Sequence, residues 1–412
     1  MKQVLIIGGG AAGLMAAVSA AQHGAKVTIV EKMKDIGRKI LITGKGRCNL
    51  TNSCDIPELV KNMPGNGSFL YSAFHAFSNL DSIEFFNQAG LPTKVERGGR
   101  VFPVSDQAKD VIKTFARQLA KLDVAVKFGQ PVKKLIIENG RAIGAATIDA
   151  EYRADAIIIT TGGASYPGTG SSGDGYRLAE AVGHTIIPLK PSLVPLEVEE
   201  EWITELQGLS LKNVTATVIS DGKKAADEFG EMLFTHYGLS GPIIISLSKK
   251  VAELFVATPD KEVTIEINLK PALSMEILDK RLQRDFTKFA KKQLKNSLHE
   301  LLPTKLIPVV IDLSFIDADK FVHQITKEER SRLLDVLQHL TFTISKTRPV
   351  TEAIVTAGGV STKEIDARTM ESKLVNALFF AGEVIDIDGY TGGFNLQAAF
   401  STGYVAGKYA AT

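Results

Sequence analysis

Gly8, Gly10 and Gly13, with the carboxylate of Glu31 eighteen residues beyond the last of them, have the types and spacing to receive a phosphate pair and a vicinal diol. Gly8 permits a tight turn. Gly10 lets the backbone come against a pyrophosphate where a side chain would collide. Gly13, beside Ala12, lets a helix pack closely on a strand. An acid at position 31 accepts hydrogen bonds from a ribose and disfavours a 2′-phosphate. The elements that must position these groups are legible. Val4-Leu5-Ile6-Ile7 is too short for a helix and suits a strand buried on both faces of a parallel sheet. The glycines follow at once, and an alanine-rich segment with Leu14 and Val18 at helical spacing runs to about His23. Gly24 stops it, and Lys26–Val30 reads as a second strand ending at Glu31. The helix would turn unpaired N–H groups and a partial positive charge toward the phosphates. This strand–helix–strand unit, with its glycines and acid in register, predicts a bound dinucleotide.

The fingerprint cannot choose between dinucleotides; the far end of the chain can. Residues 376–381 read as a strand, Gly382-Glu383 follow, and after Gly392-Gly393 a small-residue helix begins near Asn395, Leu396 and Gln397. This layout resembles that of two-dinucleotide-fold flavoproteins. There the late acid bonds the ribityl chain, and the next helix points its N-terminus at the flavin pyrimidine ring, favouring negative charge. The resemblance implies FAD, tying the first and last sections of the chain together, with Gly382, Glu383, Gly393, Asn395, Leu396 and Gln397 as contacts. A middle strand, Ala156–Ile159, runs into Thr161-Gly162-Gly163, a turn expected beside the adenosine side. Residues 124–128 and 132–137 look like strands of a small crossover sheet, with Val132 set to pair its backbone with adenine.

Gly44-Lys45-Gly46-Arg47-Cys48-Asn49-Leu50-Thr51-Asn52 resembles the signature of the bacterial YhiN/BaiN-type flavoproteins. Further matches are residues 161–167, 169–176, 233–242, 356–360 and 379–403, so the resemblance runs end to end. It implies tightly bound FAD and leaves the substrate open. The same residues have a physical reading. Lys32, Arg38, Lys39, Arg47 and Asn49 lie in or near a glycine-rich loop that can fold over the pyrophosphate, presenting cations and backbone N–H groups. Thr43 and Gly44 are expected near the flavin ring, and Gly46 is expected as a further cofactor contact.

With 412 residues, two or three domains are expected. The fold class predicted is α/β: a Rossmann-like FAD-binding domain of residues 1–190 plus 346–412. An inserted substrate domain, 191–345, holds a β-barrel and a helical subdomain at about 275–340, broken at Pro303 and Pro308. Residues 214–220 and 263–269 alternate like barrel strands, with Asp221-Gly222 as a turn. The reactive ring should face the insertion, which would shape the substrate pocket. There His236 and Tyr237 are the catalytic candidates, the first as proton carrier, the second orienting a substrate; a structural histidine in a tight turn is the competing reading.

A net charge of +2 argues against nucleic acid as partner. No run of apolar residues approaches a membrane span and no signal peptide is evident, so a cytoplasmic protein with no membrane partner is expected. Cys48 and Cys54 have neither zinc-type spacing nor that of a redox pair, and no metal is expected. Gly168–Gly173 formally repeats the glycine pattern but follows a turn, with no acid placed after it to meet a ribose, and reads as a flavin-side or structural loop. The expectation is an FAD-dependent oxidoreductase of a small organic substrate, with NAD(P)H binding transiently as electron donor. The alternative is an amine oxidase passing electrons to O₂, and a non-catalytic flavin-binding protein is a third reading.

Overall fold

The computed structural model describes residues 1–412. The chain divides into two compact units, Met1–Ser192 with Val350–Thr412, and Leu193–Pro349.

A five-stranded parallel sheet organises the first unit, in the order Leu378–Phe380, Ala156–Ile159, Gln3–Ile7, Lys26–Val30, Ala125–Lys127. The apolar run at the N-terminus is its central strand. Ile6 stands opposite Ile158 on one side and Ile29 on the other. Val4 to Ile7 are all buried, as a parallel strand covered on both faces must be. One expectation needs correction: Ala125–Lys127 is the edge strand of this main sheet, paired with Lys26–Val30. Only Lys134–Glu138 joins a separate antiparallel sheet, with Arg141–Ala146 and Glu151–Arg153.

Helix Ala11–Gln22 and the last helix, Phe394–Ala411, pack backbone to backbone. A methyl group on Gly403 would run into the Ala12 carbonyl, and one on Gly407 into that of Ala16. Small residues four apart on one helix thus meet alanines four apart on the other, the spacing of one helical face. Beside them Phe86 and Phe115 meet edge to face with centroids 5.5 Å apart, and Phe400 lies 5.6 Å from Phe86. Such geometry adds to their burial.

His184 shows what the core tolerates. Its ring is buried, edge-on to Phe380 at 4.8 Å. Ser372 Oγ accepts from the amides of Leu374 and Val375 and lies 2.8 Å from His184 Nε2, so its hydroxyl proton serves that nitrogen. Nδ1 is then the protonated nitrogen, 3.3 Å from Glu364 Oε2. Burial holds the imidazole below its ordinary range, although Glu364 pulls the other way. The unfolded chain therefore takes up a proton that the folded chain resists, and stability should fall as pH drops below about 6.5. Melting temperature measured from pH 7.5 to 5 should decline, and His184→Gln should flatten that decline.

The second unit is a closed antiparallel barrel in the order Leu196–Val198, Gly238–Ser240, Lys223–Phe234, Ser210–Ser220, Val263–Asn268, Leu340–Thr347. Asp221-Gly222 makes the tight hairpin: Ser220 pairs with Lys223, and both turn residues have positive φ, 56° and 68°. Helices Pro242–Ala257, Met275–Lys288, Leu306–Leu313 and Lys327–Gln338 complete the unit. Pro308 does not break the helical region as expected. It sits in the first turn of Leu306–Leu313, where its missing N–H has no intrahelical partner to lose. Helix Pro242–Ala257 was not anticipated, although proline directly after Gly241 marks such a start. No helix of the chain is long and apolar enough to cross a membrane.

Candidate cofactor site

The turn between the central strand and the first helix assigns different work to each glycine. Gly8 has φ +107°, and a side chain there would come within 2.7 Å of the Thr160 carbonyl. A side chain on Gly13 would drive into the Gly8 carbonyl. Gly10, at φ −81°, is different: a methyl group there would meet no protein atom within 4 Å. Its hydrogen faces open space at a helix N-terminus that carries no acidic residue and no side-chain cap. Such an end binds anions.

Glu31 is buried beside this turn. Its Oε2 accepts from Gly9 N and its Oε1 from Met33 N, both at 2.7 Å. A carboxylate has about four acceptor sites, so one remains on each oxygen, the complement of a diol. Ala12 is buried against Gly382, whose added methyl would lie 2.7 Å from the alanine Cβ. Thr160 Oγ1 donates back toward the carbonyls of Ile7 and Gly8. Gly162 has φ +73°, and a side chain at Gly163 would press within 2.8 Å of Thr356 Cβ. The buried Oγ1 of Thr161 has no partner, as is true of Asn49 Oδ1 and Arg38 Nε. Each such atom calls for an explanation, and a bound ligand is one. Val132 is half-buried just before strand Lys134–Glu138.

The late segment supplies the other wall. Gly382 N donates to Thr402 Oγ1, and Glu383 receives Lys39 Nζ at 2.6 Å, Ser165 Oγ at 3.0 Å and Thr356 N at 2.8 Å. Gly393, at φ +100°, lies so close to Thr51 that no side chain fits. The helix starts one residue later, at Phe394. Leu396 is half-buried near that start.

Several residues expected at the cofactor are engaged by the protein instead. Gln397 is fully buried; its amide donates to Phe77 O and Ser401 Oγ and accepts from Thr51 Oγ1. Asn395 exchanges hydrogen bonds with Gly389 and donates to Tyr390 O, bracing the preceding loop. Arg47 is clamped by Glu96 and Asp106 over the Phe102 ring, 4.1 Å from its centroid. Four of its five N–H groups are spent on these two carboxylates, so most of its hydrogen bonding is structural. Its work is to hold the loop of Thr43, Gly44 and Gly46, where Gly44, Lys45, Gly46 and Cys48 all take positive φ. Lys32 is paired with Asp174 and Ser172, and Arg38 reaches Gly168 O at 3.3 Å. These two pin the second glycine-rich loop down, so Gly168–Gly173 is a structural cover.

Cys48 and Cys54 are free thiols. Burial pushes Cys48 up to about 12, against a hydrogen bond with Thr43. Burial and then the charge of Glu58 push Cys54 up to about 11. Neither offers the thiolate that redox chemistry requires. No group of His, Cys, Asp or Glu side chains is placed to hold a metal ion.

In the second unit, His236 and Tyr237 occupy the turn between Lys223–Phe234 and Gly238–Ser240. Thr235 exchanges hydrogen bonds with Gly238 across it. His236 is exposed and Tyr237 half-buried, their rings edge to face at 4.8 Å. The Arg348 guanidinium lies 4.6 Å from the Tyr237 centroid and is paired with Glu197. Sequence reasoning missed Arg348, since nothing in residues 346–348 tells that they run beside the turn at 237.

The HI0933-like protein Rossmann domain matches residues 2–409. The chain belongs to the HI0933-like family. It is 33% identical to the 3-dehydro-bile acid delta(4,6)-reductase of Clostridium scindens over 100% of this chain and 99% of that one. It is likewise 33% identical to the ribosomal RNA dihydrouridine synthase of Haemophilus influenzae, over 97% of this chain and 96% of that one. Among solved structures, the 3-ketosteroid delta1-dehydrogenase of Sterolibacterium denitrificans superposes with a TM-score of 0.56 at 12% identity, covering 100% of both chains. That likeness is one of fold. This HI0933-like protein is an FAD-dependent oxidoreductase, and the open cradle at Gly10, the half-used Glu31 and the unpartnered Arg38, Asn49 and Thr161 atoms fit the cofactor.

Proposed function

We propose that the protein saturates a carbon–carbon double bond conjugated to a carbonyl in a small organic molecule, with NAD(P)H as electron donor. The observation that carries this reading is the full-length likeness to the Clostridium scindens enzyme, whose name describes reduction of such a bond. FAD supplies the hydride-transfer chemistry when bound. Gly8, Gly10 and Gly13 would hold its phosphates, Glu31 its ribose and Glu383 its ribityl chain. Hydride addition to a conjugated bond moves charge onto the carbonyl oxygen and leaves a carbon needing a proton. A hydrogen-bond donor and a proton source are therefore required. We assign these to Tyr237 and His236, with Arg348 fixing the phenol ring from its face. A transient donor needs no nucleotide domain of its own.

Anaerobic NADPH, then NADH, added to the purified protein should bleach the flavin absorption. A conjugated enone added afterwards should restore it. Failure of both nucleotides to bleach it would sink the reading and favour the amine oxidase, tested by peroxide release from amines. A second reading, saturation of a uracil ring within RNA, is favoured by the names of the Haemophilus influenzae and Escherichia coli relatives. It concerns the same kind of bond. Against it, 48 basic and 46 acidic residues give a phosphate backbone little net attraction. Reoxidation by ribosomal RNA with new dihydrouridine, and none by enones, would establish it instead.

A further inference from the structure

Lys39 was expected to offer its charge to the pyrophosphate. In the fold its charge meets a carboxylate. Its Nζ lies 2.6 Å from Glu383 Oε2 and 2.7 Å from Ser165 Oγ. Ser165, itself fully buried, accepts from Lys39 and donates to Glu383 Oε1 at 3.0 Å. The second donor to Oε1 is Thr356 N. Both acceptor sites of Oε1 are thus filled by protein donors, and Lys39 takes one of the two on Oε2. One acceptor site is left on this carboxylate, in contrast to the two left on Glu31. The ion pair is sheltered, with 24% of the lysine and 19% of the glutamate side chain exposed. It joins segments that the chain separates by 344 residues.

We propose that Lys39 is a positioning residue for FAD, acting through Glu383: with Ser165 it fixes the carboxylate so that a single lone pair, on Oε2, is presented to one hydroxyl of the ribityl chain. This rests on the FAD reading of the site. A carboxylate without Lys39 would keep its two donors on Oε1 but swing about them, and would be sheltered without a counter-charge. In this proposal the value of Lys39 to the cofactor depends wholly on the acid it holds.

Dependence of that kind is measured by a double-mutant cycle on FAD affinity. Apoprotein is titrated with FAD, following the quenching of flavin fluorescence, for the wild type, Lys39→Met, Glu383→Gln and the double variant. Lys39→Met should weaken binding at least ~10-fold, the scale of one unsatisfied sheltered acceptor. The double variant should bind about as Glu383→Gln does, because the lysine has no carboxylate left to fix. Lys39→Arg should recover part of the loss. Wild-type affinity in Lys39→Met, or losses that multiply in the double variant, would overturn the proposal. Multiplying losses would mean that Lys39 meets the cofactor on its own. Should Lys39→Met lose its far-UV circular dichroism, Ser165→Ala, made alone and in combination with Glu383→Gln, gives the same test. Its effect should vanish in the combination, and persistence there would overturn the proposal. A wild-type apoprotein that takes up no FAD would instead defeat the cofactor reading itself.

Discussion

Gly10→Val is expected to yield a folded protein that no longer retains FAD. The Cβ of the substituted side chain has no protein atom within 4 Å, and the backbone at φ −81° is ordinary for valine, so the fold should be unharmed. On the proposed reading, the space it fills is the one the pyrophosphate would take. FAD affinity should fall at least ~100-fold, about 2.8 kcal/mol. Gly13→Ala should do the reverse. Its methyl group collides with the Gly8 carbonyl inside the protein, and the loss should appear first in thermal stability. Circular dichroism melts and FAD titration of the two variants separate these outcomes. A Gly10→Val protein that still purifies yellow would show that this cradle does not hold the phosphates.

The second large effect concerns the crossing of the first and last helices. Gly407→Val places a branched side chain against the Ala16 carbonyl, where the backbones are in contact. Relief requires the helices to separate, opening the packing that Gly403 shares with Ala12. A destabilisation on the order of 3 kcal/mol is expected, the upper end for overpacking. Urea unfolding of the apoprotein would measure it. Because Gly382 packs against Ala12, the same variant should also lose FAD affinity, though far less than Gly10→Val. Unchanged stability would mean that the helices tolerate a wider spacing than their contact implies.

Local pattern made the sheet and the cradle readable. An apolar run followed by spaced glycines admits few structures, and residues 3–31 adopt the expected one. The Asp221-Gly222 hairpin was legible for the same reason, since that pair suits positive φ at both positions. Misread features depend on partners distant in sequence. Arg47 reads as a cation in a phosphate loop until Glu96 and Asp106 are found on either side of it. Gln397, at the start of a helix near glycines, looks like a ligand contact, yet helical phase turns it inward to Thr51 and Ser401. Lys39 was named for its charge, but only the fold shows which charge it serves. Edge strand Ala125–Lys127 is three residues long, too short for period to reveal which sheet it joins.

The strand order also bears on how the protein is made. Gln3–Ile7 leaves the ribosome first among the strands, yet one of its neighbours, Ala156–Ile159, follows only after some 150 residues. The strand beyond that, Leu378–Phe380, and the helix that covers Ala12 and Ala16 come last. A nascent chain halted before residue 378 would carry the phosphate glycines but neither Glu383 nor the helix that seals the first one. Strand Ala156–Ile159 would keep one edge unpaired throughout synthesis of the intervening barrel, the interval in which a chaperone has most to protect.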